Sequence, residues 1–400
     1  MSILSGKKIL LGVSGGIAAY KVPFIVRLLK LKEAEVRVVM TPAAKDFVTP
    51  LTLSTLSGTP VLSSFTDSQH DNPVWNNHVE LGKWADLFII APATSLTISA
   101  MVNAKCNNLL IATYLSCNCR VYIAPAMDLD MYDHPANQSN LEKLKSIGNQ
   151  VLPVGYGFLA SGLEGKGRML EPVEIIQKVE QDIFDKLPLN GKKVLITAGP
   201  TYEPIDPVRF IGNYSSGRMG FALAEQAVKL GAEVTIITGP TAISTNSNMQ
   251  IINVFTAEEM FFQVKKIYNK IDFAIASAAV ADFKPKETSK IKLKKEINLS
   301  TIELVPTQDI LAWMGKNKNQ QFLLGFSLET NDEFKNAIKK LKSKNLDAIV
   351  MNSLKDSGAG FSKETNKVSY ITRKEEIIEF ELKLKNQVAE DIFTEILKNE

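Results

Sequence analysis

Cysteine and histidine are both scarce in this chain. Three cysteines occur in 400 residues, Cys106, Cys117 and Cys119, all in one stretch. An odd, clustered count excludes a secreted disulfide framework and points to a reducing cytoplasm. The only histidines are His70, His78 and His134, so a histidine-rich metal centre is excluded and histidine catalysis has three candidates. No apolar run approaches the ~18 residues a membrane helix needs; the longest lies near Leu87–Ala93. The run MSILSGKKILLGVSGG passes straight into a strand-and-glycine pattern, without a cleavable apolar segment. An excess of one charge sign is missing too: Lys+Arg 46 against Asp+Glu 43 leaves +3, which gives bulk charge no argument for nucleic acid. What is present is 45% hydrophobic and 22% charged residues, the mix of a chain that buries proper cores. At roughly 150 residues per domain, the length makes two or three domains.

One phrase opens two long segments, Gly6-Lys7-Lys8-Ile9-Leu10 and Gly191-Lys192-Lys193-Val194-Leu195. Each continues as an apolar strand into a Gly/Ser-rich turn and a helix, the opening of a doubly wound α/β domain. Between them Glu171–Pro188 reads as an amphipathic helix and Leu189-Asn190-Gly191 as a linker. The expected domains are therefore 1–189 and 190–400. Residues 1–190 hold 17 basic and 17 acidic residues, so the surplus belongs to the second half, 29 against 26. Buried-type strands are predicted at Lys8–Val13, Val36–Met40, Leu87–Ala91 and Val121–Ala124. In the second half they fall at Val194–Thr197, Val234–Thr238, Phe273–Ser277, Phe322–Phe326 and Ala348–Met351. Strands alternating with helices imply mostly parallel sheets. Val368–Thr372 and Ile377–Glu381 read as an antiparallel pair before a closing helix. Cys106 and Cys117 read as buried helix residues, with Cys119 just ahead of a strand.

In the first half, Gly12-Val13-Ser14-Gly15-Gly16-Ile17-Ala18-Ala19 follows a strand and opens a helix. Backbone N–H groups there, with small residues allowing close approach, suit a phosphate; a plain tight turn explains the same residues. The run is not G-x-G-x-x-G, so a dinucleotide is not indicated. Ala91-Pro92-Ala93-Thr94-Ser95-Leu96-Thr97 lies at the carboxyl end of a strand, where α/β sheets bind ligands. Its hydroxyls and N–H groups suit a ribityl chain and a flavin phosphate. Ala124-Pro125-Ala126-Met127-Asp128-Leu129-Asp130-Met131-Tyr132 follows the next strand. Gly162-Leu163-Glu164-Gly165-Lys166-Gly167-Arg168-Met169 reads as a glycine-rich loop able to fold over a substrate.

With the stretch from His78 to Asp86 between the first two, these four segments over residues 1–185 resemble the flavin-containing cysteine decarboxylases, specifically the phosphopantothenoylcysteine decarboxylase family. The resemblance implies a flavodoxin-like fold and an FMN held by Ser14, Gly15, Ile17, Thr41, Ala91, Pro92, Ala93, Thr94, Ser95 and Met127. In that family the flavin oxidises the substrate thiol to a thioaldehyde, carbon dioxide leaves, and the resulting ene-thiolate is reprotonated and reduced. His78 is implied as the active-site base, while His70 and His134 read as ordinary surface residues. Two positions depart from the family. Asp128 stands where it has a substrate-gripping asparagine, and Ser161 where it has an acid cysteine. A hydroxyl is a far weaker acid than a thiol of pKa ~8.5. The expectation is that Asp128, buried against the substrate carboxylate, stays protonated and donates, with Ser161 as a relay.

In the second half, the turn-rich stretch Thr197–Arg209 leads to Asn213-Tyr214-Ser215-Ser216-Gly217-Arg218-Met219-Gly220, which enters a helix. Ser-Ser-Gly-x-x-Gly is a loose dinucleotide fingerprint, and ordinary helix packing explains it equally. Lys284–Lys295 holds six lysines and one acid, Glu287, just after Ala276-Ser277-Ala278-Ala279-Val280-Ala281-Asp282. Lysines beside a carboxylate able to take Mg²⁺ are what a triphosphate needs as pyrophosphate departs. Gly325–Thr330 and Lys339–Asp347 complete the set.

From Lys193 to about Phe361 this half resembles the phosphopantothenate–cysteine ligases, fused behind the decarboxylase in a bifunctional family. That likeness implies two Rossmann-like α/β domains and a CTP-dependent ligation of L-cysteine to 4′-phosphopantothenate through an acyl-cytidylate. It implies Asn213 on the intermediate and Lys290 on the activated phosphates. Asp282, Asp309, Phe326, Lys340 and Lys344 are implied on CTP, with Ala276, Ser277 and Ala278 lining the base and Asp282 as the Mg²⁺ ligand. It further implies a homo-oligomer, a dodecamer built through the flavin half, in the cytoplasm, with neither nucleic acid nor membrane as partner. The competing expectations are a ligase whose flavin half is impaired in the final reduction, or one whose flavin half is only a scaffold.

Overall fold

In the computed structural model, residues 2–67, 74–293, 301–329, 332–353 and 363–398 are described. His70, Lys294 and Lys295 lie outside them. The chain divides into two compact units, Met1–Asp185 and Lys186–Glu400. None of its described helices is long and apolar enough to cross a membrane.

In the first unit the central sheet comprises β1 (Lys8–Val13), β2 (Glu35–Met40), β3 (Val61–Leu62), β4 (Leu87–Ala93), β5 (Arg120–Pro125) and β6 (Gln150–Val151). Their order is β3-β2-β1-β4-β5-β6, and every pairing is parallel. β1 and β4 are apolar and almost wholly buried, as strands covered on both faces must be. The helices used below are α1 (Val22–Leu31), α2 (His78–Trp84), α3 (Ser95–Val102), α4 (Leu109–Ser116), α5 (Leu129–Asp133) and α6 (Pro172–Asp185). α1 and α6 share the core on one face with Ile25, Leu29, Ile176 and Val179. α2, α3 and α4 close the other with Leu81, Ile98 and Leu110.

The second unit's sheet comprises β9 (Lys193–Ala198), β10 (Glu233–Thr238), β11 (Gln250–Asn253), β12 (Phe273–Ala276), β13 (Phe322–Glu329), β14 (Ala348–Ser353), β15 (Val368–Thr372) and β16 (Ile377–Glu379); β7 and β8 denote the first unit's hairpin strands, Gly155–Phe158 and Glu164–Arg168. Its order is β11-β10-β9-β12-β13-β14-β15-β16, parallel as far as β14 and antiparallel at the tail. Helices α7 (Arg218–Lys229), α8 (Ala257–Ile267), α9 (Ile310–Lys316), α10 (Glu333–Ser343) and α11 (Lys385–Lys398) cover it. α7 and α11 share one core cluster, with Leu223, Ala227, Ile392 and Phe393. α8, α9 and α10 share the other, with Val264, Met314 and Leu341.

Each central strand is fastened by an aspartate at its amino-terminal end. The Lys8 N–H donates to the Asp86 carboxylate at 2.8 Å and the Asp86 N–H returns to the Lys8 carbonyl at 2.8 Å. Lys193 and Asp272 repeat the arrangement at 2.7 and 2.9 Å. These reciprocal bonds fix the register of β1 on β4 and of β9 on β12.

Several expectations need correction. The helix read as Glu171–Pro188 ends at Asp185, because Leu189 turns back into the second unit's core and its N–H bonds to Leu230; the residue before a proline also disfavours helix. Cys106 is exposed in a loop. α3 stops short of it, as Ala104 takes φ +50 and the Lys105 N–H bonds back to the Ala100 carbonyl, a left-handed helix ending. Cys117 is half-buried and closes α4, its Sγ 3.1 Å from the Tyr114 carbonyl. The glycine-rich "loop" Gly162–Met169 is largely strand β8, paired antiparallel with β7.

Candidate active sites

In each sheet the chain leaves the central strand on one side and returns on the other, so the strands part at their carboxyl ends. Such a crevice between oppositely directed crossovers is where open α/β sheets hold ligands. In the first unit it lies between β1 and β4, and the two loops named from the sequence face each other across it. Ser14 is fully buried and its hydroxyl donates to the Pro92 carbonyl at 2.7 Å. The Ser14 hydroxyl oxygen in turn accepts from the Thr94 N–H at 3.1 Å, so one hydroxyl ties both loops together. The Ala91–Pro92 peptide is cis. Gly15 allows close approach: a Cβ there would sit 2.7–2.9 Å from the Cβ, carbonyl carbon and oxygen of Ala43.

Thr41, which follows β2, is buried, and its Oγ1 has no hydrogen-bond partner among the described residues. A buried orphan hydroxyl is costly unless a ligand meets it. Ile17 and Leu96, on the two loops, expose 59% and 74% of their surface, leaving apolar side chains beside that polar floor. The Ser95 hydroxyl is turned to Asn137 Oδ1 at 2.7 Å, which leaves Ser95 its backbone as the group to offer.

His78 begins α2, where Asn77 caps the helix by accepting from the Val79 and Glu80 N–H groups at 3.0 and 3.3 Å. Its ring meets Phe65 and Trp75 edge-on, with centroids 6.2 and 6.3 Å away. Its Nδ1 is buried and has no partner among the described residues. An imidazole walled by aromatics, with a nitrogen that no described residue meets, is poised to exchange a proton with a bound molecule.

Asp128 is half-buried and caps α5, one carboxylate oxygen accepting from the Leu129 N–H at 2.7 Å. β8 is pinned beside it. The Met127 N–H donates to the Gly167 carbonyl at 3.0 Å, and a Cβ on Gly167 would lie 2.4 Å from the Met127 carbonyl oxygen. The structure thus joins the third and fourth sequence segments. Ser161 sits in the exposed turn of this hairpin, its Oγ 3.4 Å from the Leu163 N–H.

The second unit's crevice, between β9 and β12, opens into a cavity of about 920 Å³. Asn213, Ala276, Ser277, Ala278 and Asp282 line it, as do Asp309, Phe326, Lys340 and Lys344. Residues spread from Asn213 to Lys344 in sequence therefore converge. The Asn213 amide donates to the Ala279 and Val280 carbonyls at 3.1 and 3.2 Å. The Ser277 hydroxyl donates to the Thr197 carbonyl at 2.7 Å. The Lys340 ammonium donates to the Phe326 carbonyl at 2.9 Å. Asp309 caps α9 through the Ala312 N–H at 2.8 Å and pairs with Lys344. Burial pushes the Asp309 carboxyl up, but the Lys344 and Ala312 hydrogen bonds outweigh it and hold the group below its ordinary range. Asp282 is an exposed lone carboxylate; among the described residues no group of three or more His, Cys, Asp or Glu could hold a metal ion.

Lys290 does not line the cavity. Its segment is held against Pro204–Arg209 instead. The Ser289 N–H bonds to Ile205, the Thr288 hydroxyl to Pro204, and the Leu293 N–H to Asp206. The fully buried Asp206 carboxylate organises this turn, accepting from the Val208 and Arg209 N–H groups and pairing with the Arg209 guanidinium. That guanidinium, with the backbone donors, holds its carboxyl well below the usual range.

Sequence reasoning missed the other end of the cavity, where Arg218, Asn352, Asn366 and Lys385 line the wall. The signal for Lys385 was a cation opening a helix, the end at which the helix dipole disfavours one. It also missed Phe65 and Trp75 around His78.

Two family models match the chain: "Flavoprotein" over residues 2–184, and "DNA/pantothenate metabolism flavoprotein C-terminal domain" over residues 189–399. Among curated relatives, the coenzyme A biosynthesis bifunctional protein CoaBC of Vibrio vulnificus (strain YJ016) is 44% identical, covering 92% of this chain and 92% of its own length. Its counterpart in Bacillus subtilis (strain 168) is 42% identical over 98% of this chain and 97% of its own length. A protein named cysteine/cysteine sulfinic acid decarboxylase, from an unknown prokaryotic organism, is 53% identical over 88% of this chain and 99% of its own length.

Proposed function

The chain belongs to the family of bifunctional coenzyme A biosynthesis proteins, decarboxylase and ligase in one polypeptide, and on that footing we propose how its residues divide the work. The flavin is FMN. Thr41's unpartnered hydroxyl, the Ser14 clasp and the Cβ-free approach at Gly15 fit a phosphate and ribityl chain, with Ile17, Ala91–Ser95 and Met127 around the ring. When bound, it supplies a two-electron exchange at the sulfur-bearing end of phosphopantothenoylcysteine. His78 takes a proton through its buried nitrogen, with Phe65 and Trp75 orienting the ring edge-on. Loss of the carboxylate as carbon dioxide leaves a site needing a proton. Asp128 supplies it from the oxygen that Leu129 does not hold, with Ser161 in the hairpin turn as the relay.

In the second unit CTP activates 4′-phosphopantothenate and L-cysteine then attacks the acyl-cytidylate. Asn213 holds the intermediate; Ala276, Ser277, Ala278, Asp309, Phe326, Lys340 and Lys344 hold the nucleotide. Asp282 offers one carboxylate oxygen to Mg²⁺, the remaining ligands coming from phosphates and water, as that ion ordinarily takes them. Lys290 reaches the phosphates by movement of its segment off the Pro204–Arg209 turn. The chain works in the cytoplasm as a homo-oligomer, a dodecamer by family likeness.

The observation that carries this reading is the convergence of Asn213, Asp282, Asp309, Phe326, Lys340 and Lys344 on one cavity at the sheet's switch point. The test incubates the purified chain with FMN, CTP, cysteine and phosphopantothenate and reads pyrophosphate and carbon dioxide separately. Both should form, in that order of dependence. Asp128→Asn should keep carbon dioxide release and lose fully reduced product; undiminished reduced product would remove Asp128 from the proton path. The relative named for cysteine or cysteine sulfinic acid supports a second reading, in which the first unit acts on the free amino acid. Carbon dioxide from either compound without CTP or phosphopantothenate would select it.

A further inference from the structure

The second unit's cavity has two ends. One holds Asp309, which caps α9, and the lysines at the end of α10. The other, on the α7 and α11 face, is lined by Arg218, Asn352, Asn366 and Lys385. Here two helices of 12 and 14 residues begin side by side, α7 at Arg218 and α11 at Lys385. Their first-turn N–H groups carry the positive ends of two macrodipoles, a place that favours anions. Both first residues are nevertheless cations.

Lys385 is only 7% exposed, with its ammonium donating to the Lys363 carbonyl at 2.8 Å. Arg218, more open, touches Glu364 at 3.3 Å. Burial first, then the neighbouring Arg218 charge, lowers the Lys385 ammonium to about 8. On the same wall Asn366 is 1% exposed, and among the described residues its Oδ1 has no partner; Asn352 Oδ1 is likewise buried and unpartnered among them. A side-chain amide can turn either its N–H or its C=O group to the cavity. Two cations, two helix starts and two amides whose oxygens no described residue meets share one recess, a place prepared for a multiply charged anion.

We propose that Lys385, with Arg218, grips the terminal phosphates of the activating nucleotide and steadies them as they leave. This inference rests on the ligase reading above. In the step concerned, a carboxylate oxygen of the substrate bonds to the α-phosphorus. The bond from that phosphorus to the oxygen bridging to the β-phosphate breaks, and its electron pair departs on pyrophosphate. The anion that gains charge is the one these two cations meet.

Inorganic pyrophosphate is the direct probe, its binding to the full chain measured by calorimetry beside steady-state ligase kinetics. Lys385→Met should weaken pyrophosphate binding and raise the KM for CTP by about tenfold or more, the loss expected of a charge-assisted phosphate contact. The KM values for cysteine and 4′-phosphopantothenate should stay within about twofold. Lys385→Arg should restore most of the loss, and Arg218→Gln should produce a smaller one. Wild-type affinity for pyrophosphate should fall as pH rises through about 8, and this dependence should be absent from Lys385→Met. Unchanged pyrophosphate binding in a folded Lys385→Met overturns the assignment. So does a rise confined to the KM for 4′-phosphopantothenate, together with weakened binding of inorganic phosphate, since the recess would then hold the substrate's phosphate. A fall in every affinity alongside thermal destabilisation, unrepaired by arginine, likewise overturns it in favour of a packing role. If the wild-type chain releases no pyrophosphate from CTP, the ligase reading itself has failed, whatever the variants do.

Discussion

Adding one methyl group at Gly15 should detach the flavin while leaving the sheet in place. The alanine Cβ would stand 2.7 Å from Ala43 Cβ and 2.8–2.9 Å from its carbonyl carbon and oxygen, against an ordinary carbon separation of about 3.5–4.0 Å. The neighbour is backbone, so the Gly12–Gly16 loop must retreat by roughly 1 Å. Overpacking of this kind costs about 1–3 kcal/mol. In a unit of about 185 residues each kcal/mol lowers Tm by roughly 2–4 °C, which gives a fall of about 2–12 °C. The retreat also pulls Ser14 from the Pro92 carbonyl, opening the clasp between the two loops. If the same free energy is taken from the flavin, its affinity falls about 5–150-fold. The assay is the ratio of flavin to protein absorbance in the purified chain, followed by thermal unfolding with and without added FMN. Gly155→Ala serves as the control, because its Cβ would meet nothing nearer than the Arg168 carbonyl oxygen at 3.5 Å. A Gly15→Ala chain as yellow and as heat-stable as the parent would refute the reasoning about close approach.

Two further perturbations test the second unit. Gly315→Ala places a Cβ 1.8 Å from the Lys344 carbonyl oxygen, so α9 must shift from the end of α10; a loss of about 1–3 kcal/mol is expected, with a raised KM for CTP because the Asp309–Lys344 pair is displaced. Unaltered melting and CTP kinetics would contradict it. Asp206→Asn tests the turn that carries Arg209 and Leu293. The Asp206 carboxyl is held below its unfolded value, so its stabilisation is present above the ordinary carboxylate range and disappears as pH falls through the depressed folded value. The variant should be less stable than the parent at neutral pH, and the gap should close in acid; a gap independent of pH would show that charge is not what Asp206 contributes.

The parts of the fold that are easiest to read in sequence are those whose burial leaves no alternative. β1 and β4 are continuous apolar runs because both faces are covered, and the loops at their carboxyl ends carry the small and hydroxylated residues that a ligand crevice requires. β11 was not legible. Gln250–Asn253 is an edge strand with mostly exposed side chains, so neither alternation nor apolar continuity marks it. Cys106 was misread for a related reason: it stands between two apolar helical runs, and only Ala104's left-handed backbone breaks them. Lys290 shows the limit at the site. Its lysine run was visible, but the hydrogen bonds that hold it beside Pro204–Arg209 come from residues some 80 positions earlier, a tertiary choice with no local signature. Lys385 was hidden in the opposite way, an ordinary lysine in a polar stretch until burial and Arg218 are seen around it.

The aspartate fastenings at Lys8 and Lys193 bear on how such a chain can change over generations. Asp86 and Asp272 set strand register from the amino-terminal ends of their sheets, whereas both candidate sites lie at the carboxyl ends. Inherited variation in the loops can therefore remake what a half recognises without disturbing the alignment of its strands. One way of fastening a central strand thus serves two chemistries within a single chain, and the Gly-Lys-Lys openings and their aspartates stand apart from the loops that meet ligand.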